Sequence, residues 1–160
     1  MELYILRHGI AEDGSNSGRD EDRELTSEGR KKLKEVLKTV GRAGVSPTLI
    51  LTSPYARAVQ TAQLAAEELK CAREIENSRS LTPDARPEDV WLEIRTRHSE
   101  QQVLLSSHNP LCAELVAYLL QSPNLWVDFK KGAVVRIDFE QFGTQPHGLL
   151  RWMMVPKLAS

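Results

Sequence analysis

Three short apolar runs, separated by stretches of helical periodicity, restrict this chain to an α/β architecture. They are Leu3 to Leu6, Thr48 to Thr52 and Gln102 to Ser106. Runs without polar alternation read as strands buried on both faces, and such strands belong to parallel sheets covered by helices. After the first run, Thr26 reads as an N-cap with Glu28 in the first helical turn. Leu33, Val36, Leu37 and Val40 then recur at helical spacing, and Gly44 ends the helix. Ser53-Pro54 reads as an N-cap with proline at the first helical position, and Ala58, Thr61, Ala62, Ala65 and Leu69 line one side of that helix. A weak short strand is expected near Glu74 to Glu76, and a helix carrying Val90, Trp91 and Ile94 after Pro87. Asn109-Pro110 repeats the cap-and-proline pattern ahead of an apolar stripe of Leu111, Leu115, Tyr118 and Leu119. Ala133 to Phe139 and Leu149 to Val155 read as an antiparallel hairpin. The expected fold is three-layer α/β/α, a mostly parallel sheet with a C-terminal antiparallel hairpin.

A chain of 160 residues fits one domain spanning 1–160, and it contains no repeat, low-complexity segment or linker. The formal net charge of -1 gives no global attraction to nucleic acid or to an anionic membrane. Positive charge for an anionic ligand must therefore be gathered locally. No apolar stretch is long enough to span a bilayer, and the opening Met1 to His8 lacks the basic and apolar regions of a signal peptide. Cys71 and Cys112 make no metal-ligand spacing and read as buried free thiols in a reducing compartment. The expectation is a cytoplasmic protein with no nucleic-acid or membrane partner. The basic run Arg30-Lys31-Lys32 with Lys34 and Lys38 reads as a solvated helix face.

Polar chemistry gathers where the three runs stop. Arg7-His8-Gly9 follows the first, Ser53-Pro54-Tyr55-Ala56-Arg57 the second and Ser107-His108-Asn109-Pro110 the third. In open α/β sheets, ligands bind beyond the carboxyl ends of the strands, where helix N-termini also point. Two arginines and two histidines meeting there favour an anion, and the planar fork of arginine matches phosphoryl oxygens. The histidines lack a third spaced ligand, so no metal and no cofactor is expected.

Taken in order, Arg7-His8-Gly9, Leu25-Thr26-Ser27-Glu28-Gly29, the stretch Ser53 to Ala62 and Ser107-His108-Asn109-Pro110 resemble the histidine phosphatase (phosphoglycerate mutase-like) superfamily over nearly the whole chain. The short length, Leu81-Thr82-Pro83 and Arg23-Glu24-Leu25-Thr26 are similar to its SixA-type phosphohistidine phosphatases. The resemblance implies a phosphatase in which His8 is the nucleophile, while Arg7, Arg57 and His108 bind the equatorial oxygens of the phosphoryl group. Gly9 is expected to let the backbone approach the phosphate. Arg23 is a further candidate phosphate contact, with pairing to Asp20 or Glu24 as the alternative. The resemblance also implies a partner, a histidine-phosphorylated protein (phosphotransfer domain), as substrate.

The general acid is not singled out; Asp84 and Glu88 are available. An alkoxide leaves badly without a proton, whereas a protonated phospho-imidazole leaves as neutral imidazole. That difference favours phosphohistidine over a phosphate ester. A broad small-molecule phosphomonoesterase and a non-catalytic phospho-binding signalling module are the alternatives. Ser107 stands where the family usually has glycine, and its side chain is expected to crowd the pocket, shift His108 or supply another donor.

Overall fold

The computed structural model describes residues 1–160. Six strands form one sheet: β1 (Glu2–Arg7), β2 (Leu49–Thr52), β3 (Glu76–Asn77), β4 (Gln102–Ser107), β5 (Val134–Asp138) and β6 (Leu149–Met154). Their order across the sheet is β3-β2-β4-β1-β5-β6. The four strands β1 to β4 run parallel, β5 is antiparallel to β1, and β6 is antiparallel to β5. The expected parallel sheet with a C-terminal antiparallel pair is what forms.

Five helices cover it: α1 (Ser27–Arg42), α2 (Ala56–Glu68), α3 (Pro87–Thr96), α4 (Leu111–Leu119) and the short α5 (Pro156–Ala159). Because strand side chains alternate between faces, each central strand feeds two cores. Leu3, Ile5, Leu49, Leu51, Val103 and Leu105 join one cluster with residues of α3 and α4. Tyr4, Leu6, Ile50 and Leu104 join the other with α1 and α2. Full burial of each such leucine or isoleucine stabilises the fold by about 1.5–3 kcal/mol, which is why the runs show no polar alternation.

Helix α1 starts where Thr26 Oγ1 accepts from the Gly29 N–H at 2.9 Å, and it stops just before Gly44, whose φ of +99° suits glycine. The Ser53 cap expectation needs correction, while Asn109 caps its helix from one position further out. Helix α2 begins at Ala56, not at Pro54, with Tyr55 at its N-cap position and no side-chain cap. Ser53 Oγ instead accepts from the Tyr55 N–H at 3.3 Å and meets His108, so its hydroxyl is engaged in a turn. Helix α4 begins at Leu111 with Pro110 at the N-cap position, while Asn109 Oδ1 accepts from the Ala113 N–H at 3.3 Å. Cys112 is buried, as expected, but Cys71 is only half-buried because it follows the end of α2 at the surface. Both are free thiols.

Candidate active site

The register of the sheet brings the two histidines together. Arg7 of β1 pairs with Ser107 of β4, and the His8 N–H donates to the Ser107 carbonyl at 2.9 Å. His8 and His108 are each the next residue out, and their ring centroids lie 5.1 Å apart. Strand β2 is paired on the other side of β4, so Ser53 leaves the sheet at the same end, its N–H donating to the Ser106 carbonyl at 3.0 Å. Arg57 follows in the first turn of α2, and it is 5% exposed.

The proton on His8 is placed by its partners. Nδ1 lies 2.7 Å from the Gly9 carbonyl, which only accepts, so Nδ1 carries the hydrogen. Nε2 keeps its lone pair and accepts from Arg57 Nε at 3.3 Å. Burial, with Arg57 and Arg7 adding to it, pushes the pKa of His8 down to about 4, against the Gly9 hydrogen bond that opposes the shift. The ring is neutral at pH 7, as an attacking nitrogen requires.

His108 is also neutral, lowered to about 3 by burial first and then by His8 and Arg57. Its Nε2 lies 2.8 Å from Ser53 Oγ. Either atom can donate across this contact; where the Ser53 hydroxyl donates, the ring proton sits on Nδ1. Nδ1 of His108 and Nε of Arg7 are both buried and have no hydrogen-bond partner. Arg7 is anchored instead through NH1 to the Phe129 carbonyl at 2.7 Å, and burial lowers its pKa. Buried polar groups without partners are rare, and an oxyanion is the guest whose acceptors suit them. No cluster of three or more His, Cys, Asp or Glu side chains is placed to hold a metal ion.

Tyr55 and Asp20 complete the walls. The Tyr55 ring meets His108 edge-on at 5.0 Å, and the Arg57 guanidinium carbon lies 5.2 Å from the Tyr55 centroid. Asp20, in a single 3₁₀ turn (Asp20–Asp22), accepts from Arg57 NH2 at 3.1 Å, and its carbonyl accepts from NH1 at 2.9 Å. Nothing in the sequence marks either as a wall of this site; for Asp20 it offers only the loop pairing with Arg23. Tyr55 read as part of a helix start, and Asp20 as one carboxylate of a polar loop.

Other expected residues are placed differently. Gly9 is closely packed: a Cβ there would stand 2.6 Å from Leu33 Cδ1, the movable end of a side chain, and 3.3 Å from the Gly29 carbonyl oxygen. Its N–H already donates to Thr61 Oγ1 at 3.2 Å. Arg23 donates to Asp20 Oδ1 at 2.8 Å and to the Glu12 carbonyl at 2.6 Å, the loop pairing named as the alternative. It reaches Arg57 only through the shared Asp20 carboxylate. Ser107 does not crowd the histidines; its hydroxyl turns away and donates to the Leu81 carbonyl at 2.7 Å. Asp84 accepts from Thr82 Oγ1 at 2.9 Å and lines a separate depression with Arg79 and Asp89. Glu88 lies on a groove beside α4. Neither carboxylate touches the histidines.

Comparisons with known proteins identify the family. Residues 3–82 match the sequence profile of the histidine phosphatase superfamily (branch 1). The chain is 28% identical to the phosphohistidine phosphatase SixA of Escherichia coli over 160 residues, covering 98% of this chain and 94% of that one. It is 34% identical over 135 residues to a phosphohistidine phosphatase SixA homolog of Haemophilus influenzae, covering 78% of this chain and 80% of that protein. Its fold superposes on the protein histidine phosphatase SixA complexed with tungstate with a TM-score of 0.86 at 24% identity, over 100% of both chains. The profile match and these relatives, with buried His8, His108 and Arg57 and half-buried Arg7 gathered at the carboxyl end of the parallel strands, lead to one assignment: the chain belongs to branch 1 of the histidine phosphatase superfamily and is a phosphatase of its SixA-like group.

Proposed function

We propose that this phosphatase removes the phosphoryl group from a histidine of a cytoplasmic phosphotransfer protein, through a phospho-His8 intermediate. The observation that carries the proposal is the tautomer of His8, with Nδ1–H held by the Gly9 carbonyl and the bare Nε2 beside Arg57. The Nε2 lone pair attacks phosphorus, and the P–N bond of the substrate breaks with its electron pair passing to the departing imidazole. That imidazole, protonated on its other nitrogen, leaves neutral. Water then attacks phosphorus, the P–Nε2 bond returns its pair to His8, and inorganic phosphate departs. Arg7, Arg57 and His108 donate to the equatorial oxygens, where charge builds in the transition state.

The substrate class follows from the acid the site lacks. The carboxylate beside the cluster is Asp20, and the hydrogen bond from Arg23 holds its pKa below the usual carboxylate range, with Arg57 adding to that effect. An ionised carboxylate pinned by two arginines is a poor proton donor. A neutral imidazole needs no such donor, whereas the alkoxide of a phosphate ester does. Free thiols at Cys71 and Cys112 suit a reducing cytosol.

The test is mass-spectrometric dephosphorylation of a phosphohistidine protein by the wild type and by His8→Ala. The expected result is loss of phosphate with the wild type and none with the variant. Faster turnover of sugar phosphates than of the phosphohistidine protein would overturn the substrate assignment.

A further inference from the structure

Beside the histidine cluster runs a groove of about 940 Å³ that the chemistry does not use. One wall is α4, whose Ala113 and Ala117 lie one turn apart on the groove side. The other is the segment Pro123 to Asp128 that leads back to the site. Trp126 stands in this second wall with 94% of its surface exposed, next to a 40% exposed Leu125. The groove is also one-signed: Glu88, Glu114 and Asp128 line it, and no lysine or arginine does. Glu88 pairs with Arg86 at 3.6 Å and Asp128 with Lys130 at 3.1 Å. Both pairs are exposed and weakly held, so their carboxylates are free to exchange partners. Glu114 makes no ion pair.

The groove and the phosphate cradle share their backbone. The Phe129 carbonyl, one residue past the groove wall, accepts from Arg7 NH1 at 2.7 Å and from Asn109 Nδ2 at 3.3 Å. Pro110, on the groove floor, is two residues past His108. An acidic, aromatic-flanked groove therefore adjoins a cationic cradle.

We propose that this groove docks the protein that carries the phosphohistidine, taking an apolar surface segment of it flanked by lysine or arginine side chains. The proposal rests on the reading of a phosphohistidine protein as substrate. Charge complementarity selects the occupant: the phosphoryl group goes to the arginines, and the cations beside it go to Glu88, Glu114 and Asp128. Trp126 supplies the large rigid contact that dominates such interfaces, together with a ring face for a cation. A small phosphorylated molecule reaches only the cradle.

The test compares kcat/KM for two substrates: histidine phosphotransfer domains loaded with phosphate, and phosphoramidate, a small P–N compound. Trp126→Ala is expected to lower kcat/KM about tenfold for the protein substrate and to leave phosphoramidate turnover unchanged. Glu114→Lys is expected to lower the protein value and to spare the small one. Both residues are at the surface, so both variants fold. An equal fall for both substrates, no change for either, or a gain with Glu114→Lys overturns the docking proposal. Wild-type turnover of phosphoramidate without any turnover of the loaded domains overturns the substrate reading itself, and docking with it. Emission of Trp126 gives an independent readout, expected to shift to the blue when the loaded domain binds and not to shift in Trp126→Phe.

Discussion

Asp20 and Arg57 form an ion pair at 3.1 Å in which the arginine is buried and the aspartate is at the surface. In the proposed mechanism a phosphoryl oxygen takes an N–H of Arg57 that this carboxylate now holds. Asp20 is thus a competitor for the substrate, carried on a loop of the protein itself. Asp20→Ala is expected to tighten inorganic phosphate as a product inhibitor by about fivefold, since a pair whose carboxylate is open to solvent is screened and worth on the order of 1 kcal/mol. Inhibition constants at constant ionic strength measure this; weaker phosphate binding in the variant would show instead that Asp20 only holds Arg57 in place.

Arg57 faces three ways, to His8, Asp20 and the Tyr55 ring. Arg57→Lys keeps the charge and loses the planar fork. The expected loss is about 10²–10³-fold in kcat, the usual effect of removing one preorganised oxyanion donor. Single-turnover kinetics would place the loss in the step that forms phospho-His8. A variant with wild-type kcat would remove Arg57 from the reaction.

Ser53 meets the proposed site through His108, and a positioning role for it can be tested. Ser53→Ala removes the 2.8 Å contact to Nε2 and releases the ring proton to either nitrogen. A drop of about tenfold in kcat is expected, with stability lowered by about 0.5–1.5 kcal/mol for the lost hydrogen bond. Nitrogen chemical shifts of His108 separate the two effects: a change of tautomer is expected, and an unchanged tautomer would leave Ser53 with a structural role only.

Stability should fall as the solution is acidified below the ordinary histidine range. Folded His8 and His108 titrate near about 4 and 3, against 6.5 for an ordinary histidine. Above that value neither the folded nor the unfolded chain binds these protons, and the two sites contribute nothing. Below it the unfolded chain takes up protons that the folded chain refuses, and the loss is complete once the pH passes below the folded values. At pH 5 the effect is about 2 kcal/mol per histidine. Urea unfolding from pH 7 to pH 5 measures it, and the double variant His8→Asn, His108→Asn should flatten that limb. An equal slope in the double variant would mean that other groups cause it.

Gly29 is fixed by contact. A Cβ there would lie 2.2 Å from the Ile10 carbonyl, whereas one at Gly14 would meet nothing within 4 Å. Gly29→Ala should cost about 1–3 kcal/mol by overpacking and lower the melting temperature by several degrees, while Gly14→Ala changes little. Equal melting temperatures for the two variants would disprove the contact argument.

The two histidines of the site were legible because each follows directly on a continuous apolar run, and Arg57 because it opens the helix after one. His8 and His108 sit just after strand ends and Arg57 in the first turn of the helix after β2, where parallel pairing makes neighbours of distant segments. The ends of the helices were less legible. Ser53 and Asn109 precede prolines and look like caps, yet Ser53 is drawn to His108 and α2 starts later, a tertiary contact overriding local preference. Asp20 was hidden among the acidic residues of one loop, and only folding decides which carboxylate reaches Arg57. Trp126 follows no period at all, because its segment packs as an irregular connection between α4 and β5.

The pairing of Arg7 with Ser107 has a consequence for how this chain tolerates change. The gap between the two imidazoles is measured out by the ladder of main-chain bonds joining β1 and β4, not by the rings themselves. Deleting one residue inside either strand would turn one ring toward the opposite layer, with every reactive atom still present. Loop insertions are harmless by comparison, so evolutionary drift in length is expected between the strands and never within them.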